Sequence, residues 1–387
     1  MTTILDEYNL WNQNMEFGVD RLFAYPKIIE LLNRKEIQVI TGIRRCGKTT
    51  LMRQCMRHLI DTGIDRKDLL FIPCDNALLG LKTIQSLHKT IEDFRKMKAR
   101  RIYIFLDEIQ AIKDWEKYLK SAYDSNANMK FIISGSTASF FASDVAMLLT
   151  GRHFYHKIDT MNYKEFLRLN PEGALRDYLE WGGFPEVVKA KSMTEKEALL
   201  ESYLSTIIQR DIIKRNDIRK KKKLNDLLQS LLLTVGGKIN IVRLSKQFEM
   251  NMRSVERYIL LAEDAFLFHE VPYFSYSKRK NRHMLPKLYA SDIGFTRLLS
   301  KRFEEGRSVE WAVGHLLKNP SYWSDGKHEI DFVTDEYAIQ VTTAAAIPER
   351  EVKAFHEFNK KHPKKQQLLL GPQTTEKTTS YETFLMQ

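Results

Sequence analysis

The sequence predicts an α/β protein: a P-loop NTPase parallel sheet with a helical lid, then a winged helix-turn-helix and a small α/β unit. Three observations carry that expectation. An apolar run, Ile37 to Ile40, leads into a loop from Gly42 to Lys48, and a helical pattern opens at Thr49. The stretches LLFIPC (69–74), IYIFLDEIQ (102–110) and KFIISGS (130–136) are largely apolar throughout and alternate with helical segments, as parallel strands covered on both faces do. After residue 160 the pattern turns helical, and then gives three helices followed by a basic hairpin, the order of a winged helix-turn-helix.

Taken in order, residues 1–35 form a helical lead-in, where Pro26 opens a helix through Ile28, Ile29, Leu31 and Leu32. Residues 36–160 form the core, with helices over 49–61, 82–98 and 115–123 and a further strand at HFYHKID, 153–159. Residues 161–218 form the lid: MNYKEFLRL and 194–213 are helical, and WGGFPEVV (181–188) is a Gly-Gly and Pro turn between them. The winged helix spans 219–300. Its basic run, Arg219 to Lys223, is a linker or a solvated helix face. Helices follow at 224–235, at VRLSKQF and at RSVERYILLAED, and the β-like stretches 266–276 and 284–291 flank SKRKNRH. Residues 301–387 form the small α/β unit.

A chain of 387 residues with 43% hydrophobic content has room for two or three packed domains. No apolar run approaches the roughly 18 residues of a membrane span, and MTTILDEYNLWNQ lacks the basic-then-apolar order of a secretory signal. Three sparse cysteines, Cys46, Cys55 and Cys74, point to the reducing cytoplasm. A net charge of +12 favours a polyanionic partner, nucleic acid first. Charge alone does not say whether the basic residues cluster.

The chemistry starts at the loop, which has the form G-x-x-x-x-G-K-T. Gly42 and Gly47 let the backbone curl with its N–H groups inward, and those groups with the helix N-terminus cradle phosphate. Gly42, Ile43, Arg44, Arg45, Cys46, Gly47, Lys48, Thr49 and Thr50 would hold the nucleotide, with Lys48 on the β- and γ-phosphates and the Thr49 hydroxyl on Mg²⁺. Arg44 and Arg45 face phosphate or solvent, and Cys46 is an incidental small side chain. Asp107 and Glu108 end an apolar strand, at the edge where open α/β sheets bind ligands. Asp107 would hold Mg²⁺ and Glu108 would activate water; an isolated acidic pair would be a solvated strand end. Ser136, and after it Ser134, could hold the attacking water or the γ-phosphate, against a plain turn. Arg152, from this chain or a neighbour, could act on the γ-phosphate as an arginine finger, with Arg210 a second candidate and a surface arginine the alternative. No N-K-x-D guanine-reading motif occurs, Asn359-Lys360-Lys361-His362 lacking the acid, so ATP is favoured over GTP.

GIRRCGKTT, FLDEIQ, ISGST, LLTGR, MNYKEFL, WGGFPEVV, YLSTIIQRDII and LPKLYASDIGF, in this order, resemble a bacterial and archaeal family of AAA-type ATPases. The resemblance covers nearly the whole chain. It implies Mg²⁺-dependent ATP hydrolysis by a P-loop domain, a winged helix, and a C-terminal domain resembling restriction endonucleases. Such nucleases present a Glu, an Asp and then Glu or Gln-x-Lys, for metal-assisted cleavage. Glu310, Asp331 and Gln340-Val341-Thr342 take those places, with Glu329 as a further acid and Thr342 where the lysine would stand. A hydroxyl cannot supply an ammonium's charge, so that site is expected to be defective. The winged helix offers Arg253 and Arg257, with Glu256 between them, on 252–264, and Lys278 to Arg282, for DNA, or serves as a packing module. The leading expectation is ATP hydrolysis coupled to movement of these modules; the competing ones are a nucleic-acid-binding adaptor with nucleotide as ligand, and a metal-dependent nuclease.

Overall fold

A computed structural model of the chain describes residues 2–9, 11, 17–21, 24–96, 100–125, 128–138, 149–277 and 284–387. The chain divides into two compact units, Met1–Asp159 and Thr160–Gln387.

The first unit is built on β1 (Ile37–Thr41), β2 (Leu69–Pro73), β3 (Ile102–Asp107), β4 (Met129–Gly135) and β5 (His153–Lys157). They form one parallel sheet in the order β2-β3-β4-β1-β5. β1, β2 and β3 are buried at every residue, which is why β2 and β3 are apolar nearly throughout rather than alternating; β1 buries Gln38 and Thr41 as well. Each parallel crossover needs a return segment, and helices Lys48–Asp61, Ile84–Arg95 and Trp115–Asp124 supply three of them. The order puts β4 between the strand that feeds the phosphate loop and the strand that ends in Asp107.

The lead-in, with helices Thr2–Tyr8 and Ala24–Leu31, also closes the sheet's outer edge. The Asn9 side chain donates to the Phe71 carbonyl (3.0 Å) and accepts from the Phe71 N–H (2.6 Å), and Trp11 Nε1 donates to the Leu69 carbonyl at 2.6 Å. Side chains thus satisfy the β2 backbone groups that would otherwise be open to pairing with another strand. At the N-terminal ends of the strands, buried Lys130 donates to the carbonyls of Arg34 and Glu36, and burial draws its ammonium down to about 7.

The second unit begins with helices Tyr163–Leu169, Leu175–Trp181, Pro185–Lys189 and Met193–Thr206, the last continuing as the π-helical stretch Ile207–Lys214. The expected turn at 181–188 is therefore partly helical. Helix Leu175–Trp181 runs into Trp181, and Pro185, at the first helical position, presets φ for a short helix of its own. Gly182 (φ 77°) and Gly183 wrap the buried Asp292 carboxylate, which accepts from the N–H groups of Gly183 (2.8 Å) and Gly294 (2.9 Å). A Cβ on Gly183 would stand 2.0 Å from the Met161 carbonyl oxygen. WGGF and ASDIGF, distant in sequence, are one structural joint.

Helices Lys221–Leu232, Ile241–Gln247 and Met252–Asp264 follow, with an antiparallel sheet of β6 (Gly237–Lys238), β7 (Phe268–Val271) and β8 (Lys287–Ala290) in the order β6-β8-β7. The basic run opens the first of these helices, with Lys220, Lys221 and Lys222 exposed. The basic segment expected at 278–282 lies outside the described residues. After helices Ile293–Ser300 and Glu305–Leu316 comes a mixed sheet of β9 (Ser321–Ser324), β10 (Glu329–Val333), β11 (Tyr337–Val341), β12 (Gln366–Gly371) and β13 (Thr379–Ser380), ordered β13-β12-β11-β10-β9, with helices Glu349–Lys361 and Tyr381–Leu385. No helix among the described residues is long and apolar enough to cross a membrane.

Candidate active site

The loop leaves β1 at Gly42, whose φ of 150° and contact with β5 exclude a side chain: a Cβ there would lie 1.9 Å from the Ile158 carbonyl oxygen. Gly47 (φ 104°) turns the chain in the left-handed region into helix Lys48–Asp61. The Lys48 ammonium reaches back across the loop to the carbonyls of Gly42 (3.0 Å) and Ile43 (3.1 Å) and lies 3.8 Å from Glu108. Ile43 and Cys46 are buried, Arg45 (φ 72°) is exposed, and Arg44 Nη2 lies 3.9 Å from Glu108 Oε2. Burial pushes the Cys46 thiol up, so it is poorly reactive.

The carboxylates meet the loop as strand order dictates. Thr49 Oγ1 donates to Asp107 Oδ2 at 2.7 Å, and Ser134 Oγ, from β4, donates to Asp107 Oδ1. Burial, and the charge of Glu108 beside it, raise the Asp107 carboxyl above its usual range. A bound cation would reverse that direction by favouring the charged form. One carboxylate and one hydroxyl, with phosphate and water oxygens, form the hard oxygen set that Mg²⁺ takes. Among the described residues no group of three His, Cys, Asp or Glu side chains is arranged to hold a metal ion, and this set does not require one.

Glu108 adopts φ 52°, uncommon for a residue with a Cβ. Its N–H donates to Ser134 Oγ at 3.0 Å, while its carboxylate accepts from Ser136 Oγ at 3.0 Å and from Gln110 Nε2. Burial pushes this carboxyl up, but Lys48 and Arg44, with the hydrogen bonds from Gln110 and Ser136, overcome it and hold the group below the ordinary range. Ser134 and Ser136 thus touch different carboxylates.

Arg152 is not brought to the loop within this chain. It precedes β5, its carbonyl accepts from Ile37 N at 2.8 Å, and its guanidinium pairs with Asp124 at 2.9 Å. β5 runs parallel to β1 with His153 beside Ile37, so Arg152 lies at the N-terminal end of the strands, whereas the loop leaves their C-terminal end. Arg210 lies in the π-helical stretch of the second unit. Two residues at the site escaped the sequence reading. Arg21 donates to the Cys46 carbonyl (2.8 Å) and to the Asp159 carbonyl (2.8 Å), bracing the loop from beneath. Gln110 ties Glu108 to Ser136 (3.2 Å).

Residues 34–167 match a family model described as an AAA domain. That stretch is therefore similar to an AAA domain. The sheet within that stretch holds the loop, Asp107 and Ser134 on three neighbouring strands. Residues 172–305 match a model described as a domain of unknown function. An uncharacterised protein of Haemophilus influenzae is 28% identical over 84% of this chain and 86% of its own length, and one of Methanocaldococcus jannaschii is 27% identical over 84% and 79%. Among solved structures, Aeropyrum pernix Orc1 in complex with DNA aligns at a TM-score of 0.32 and 9% identity over 72% of this chain and 91% of that one. Cdc6p of Pyrobaculum aerophilum aligns at 0.33 and 9% over 75% and 98%. Likenesses this low carry no argument about this chain.

In the second unit the expected nuclease residues gather around an unexpected cation. Lys287 of β8 places its buried ammonium 2.7 Å from Glu329, 3.4 Å from Glu310 and 3.9 Å from Asp331. Lys238 adds a pair with Glu329 at 2.7 Å. The Gln340 amide donates to Glu351, and its oxygen accepts from Asp331 N at 3.3 Å. The charge missing at Thr342 is present in space, but it is engaged in ion pairs with all three acids.

Proposed function

We propose that the protein binds Mg²⁺-ATP at Gly42–Thr50 and hydrolyses it to ADP and phosphate, and that nucleotide state is coupled to the second unit. The carrying observation is the meeting of Thr49, Asp107, Ser134 and Glu108 at the C-terminal ends of adjacent strands. In this reading the loop amides and Lys48 hold the phosphates, and Lys48 exchanges its loop-carbonyl partners for phosphate oxygens. Thr49 and Asp107 hold Mg²⁺, which would offset charge on the phosphates. Glu108 takes a proton from the attacking water, and Ser136 and Gln110 fix its carboxylate. The site is cytoplasmic in this proposal, consistent with three free buried cysteines.

The three helices and sheet β6-β8-β7 are read as a winged helix. Its helix Met252–Asp264 turns Arg253, Glu256 and Arg257 to solvent, which supports contact with nucleic acid through the two arginines. The acids around Lys287 are read as a structural ion cluster, so plasmid incubated with Mg²⁺ or Mn²⁺ should remain unnicked. Nicking that disappears in Asp331→Ala would favour the nuclease instead.

The test is ATP turnover with and without double- and single-stranded DNA at two salt concentrations. Turnover abolished by Lys48→Ala supports the reading. ATP binding without turnover under every condition would favour the adaptor, in which nucleotide is only a ligand.

A further inference from the structure

Gln110 follows Glu108 by two residues, in the short 3₁₀ turn Ile109–Ala111. Its amide is oriented by its neighbours. Nε2 donates to Glu108 Oε2 and to Ser136 Oγ (3.2 Å), and the reversed amide would set an oxygen against the charged carboxylate. That orientation fixes Oε1, which is buried and has no hydrogen-bond partner in the structure. A buried acceptor left without a partner costs stability. Alanine here would remove the cost and keep the turn, so the stability of the fold does not explain a glutamine.

We infer that Gln110 is a second water-orienting group of this site, with Oε1 accepting one O–H of the attacking water while Glu108 accepts the other. The inference rests on the ATPase reading above and deepens it. Two acceptors on one water leave its oxygen lone pair free to point at the γ-phosphorus. In the step, the water oxygen forms the new bond to phosphorus and the bond from phosphorus to the β–γ bridging oxygen breaks. The electron pair leaves with ADP, and the proton facing Glu108 passes to that carboxylate. The proton facing Gln110 stays on the phosphate product. Gln110 gains and loses no proton; it sets direction, as a glutamine can where positioning rather than covalent chemistry limits phosphoryl transfer. Ser136 holds the amide nitrogen and so sets the direction of Oε1, which ties the residue chosen from sequence to one that was not.

The experiment uses the full chain with Mg²⁺-ATP. Gln110→Met, close in size but without the amide, is compared with wild type and with Glu108→Gln for ATP affinity and for the single-turnover rate of phosphate formation. The expected result is a fall in that rate of about 10²-fold with ATP affinity within about twofold, since no phosphate contact is touched. Wild-type rate in Gln110→Met beside a dead Glu108→Gln overturns the role of Gln110 and leaves the ATPase reading standing. Loss of ATP affinity in Gln110→Met also overturns it, because the residue would then be shaping the site. No turnover by wild type sinks the ATPase reading, and this inference with it.

Discussion

Arg21 shows how much of the site rests on side chains far from the motif. Its guanidinium ties the Cys46 carbonyl of the phosphate loop to the Asp159 carbonyl that follows β5. Replacing it by alanine would leave buried acceptors unpaired, at roughly 1–3 kcal/mol, and would free the loop. Arg21→Ala should lower the melting temperature and shrink the added stabilisation by Mg²⁺-ATP; melting curves with and without nucleotide check both. Gly42 gives a sharper case. The Ile158 carbonyl occupies the place of its Cβ, so Gly42→Ala should move the loop off β5 and cut ATP affinity more than tenfold, about 1.4 kcal/mol or more. Equal affinity by titration would refute that account. The loop and Asp107-Glu108 were legible because their residues sit at fixed short spacings. Arg21 and Gln110 were not, since nothing local distinguishes an arginine under a loop or a glutamine with one unmatched oxygen.

At the scale of elements, β2 and β3 of the first unit were legible because full burial leaves them apolar nearly throughout. The helix Leu175–Trp181 was not, because it runs straight into the Gly182-Gly183 turn signal. The Lys287 cluster was hidden for another reason: LPKLYASD looks like an ordinary strand, and only the pairing of β8 with β6 and β7 sets its lysine among acids from Glu305–Leu316 and β10. Lys287→Ala would take the buried cation from Asp331 and from the partly exposed Glu310 and Glu329, of which Glu329 keeps Lys238; the cost should be roughly 1–3 kcal/mol, below that of breaking a fully buried pair. Urea unfolding of the variant should show a loss on that order; an unchanged midpoint would mean the cluster is solvated. The joint at Asp292 makes a pH prediction. Burial pushes its carboxyl up to about 7, against the pull of the Gly183 and Gly294 N–H groups and Thr160. A carboxyl whose pKa is higher folded than unfolded binds more protons in the native state, so stability falls as pH rises between the two values. Its contribution should therefore decline from about pH 4 to about pH 7 and level off above. Subtracting the melting profile of Asp292→Asn should isolate that decline; parallel profiles would contradict it.

For the whole molecule, the proposed consequence of hydrolysis is a change in the relation between Met1–Asp159 and Thr160–Gln387. Limited proteolysis under saturating ATP and ADP should give different cleavage patterns, and identical patterns would contradict coupling. If the outward arginines of Met252–Asp264 meet phosphates, affinity for DNA should fall steeply with salt. All of this depends on whether the first unit performs chemistry. The most direct measurement is phosphate release under saturating Mg²⁺-ATP by wild type and Glu108→Gln, with ATP affinity measured on both. The structure predicts equal binding and a rate lower by about 10²-fold or more in the variant. Equal rates would show that Glu108 is not the base and that the site does not work as described.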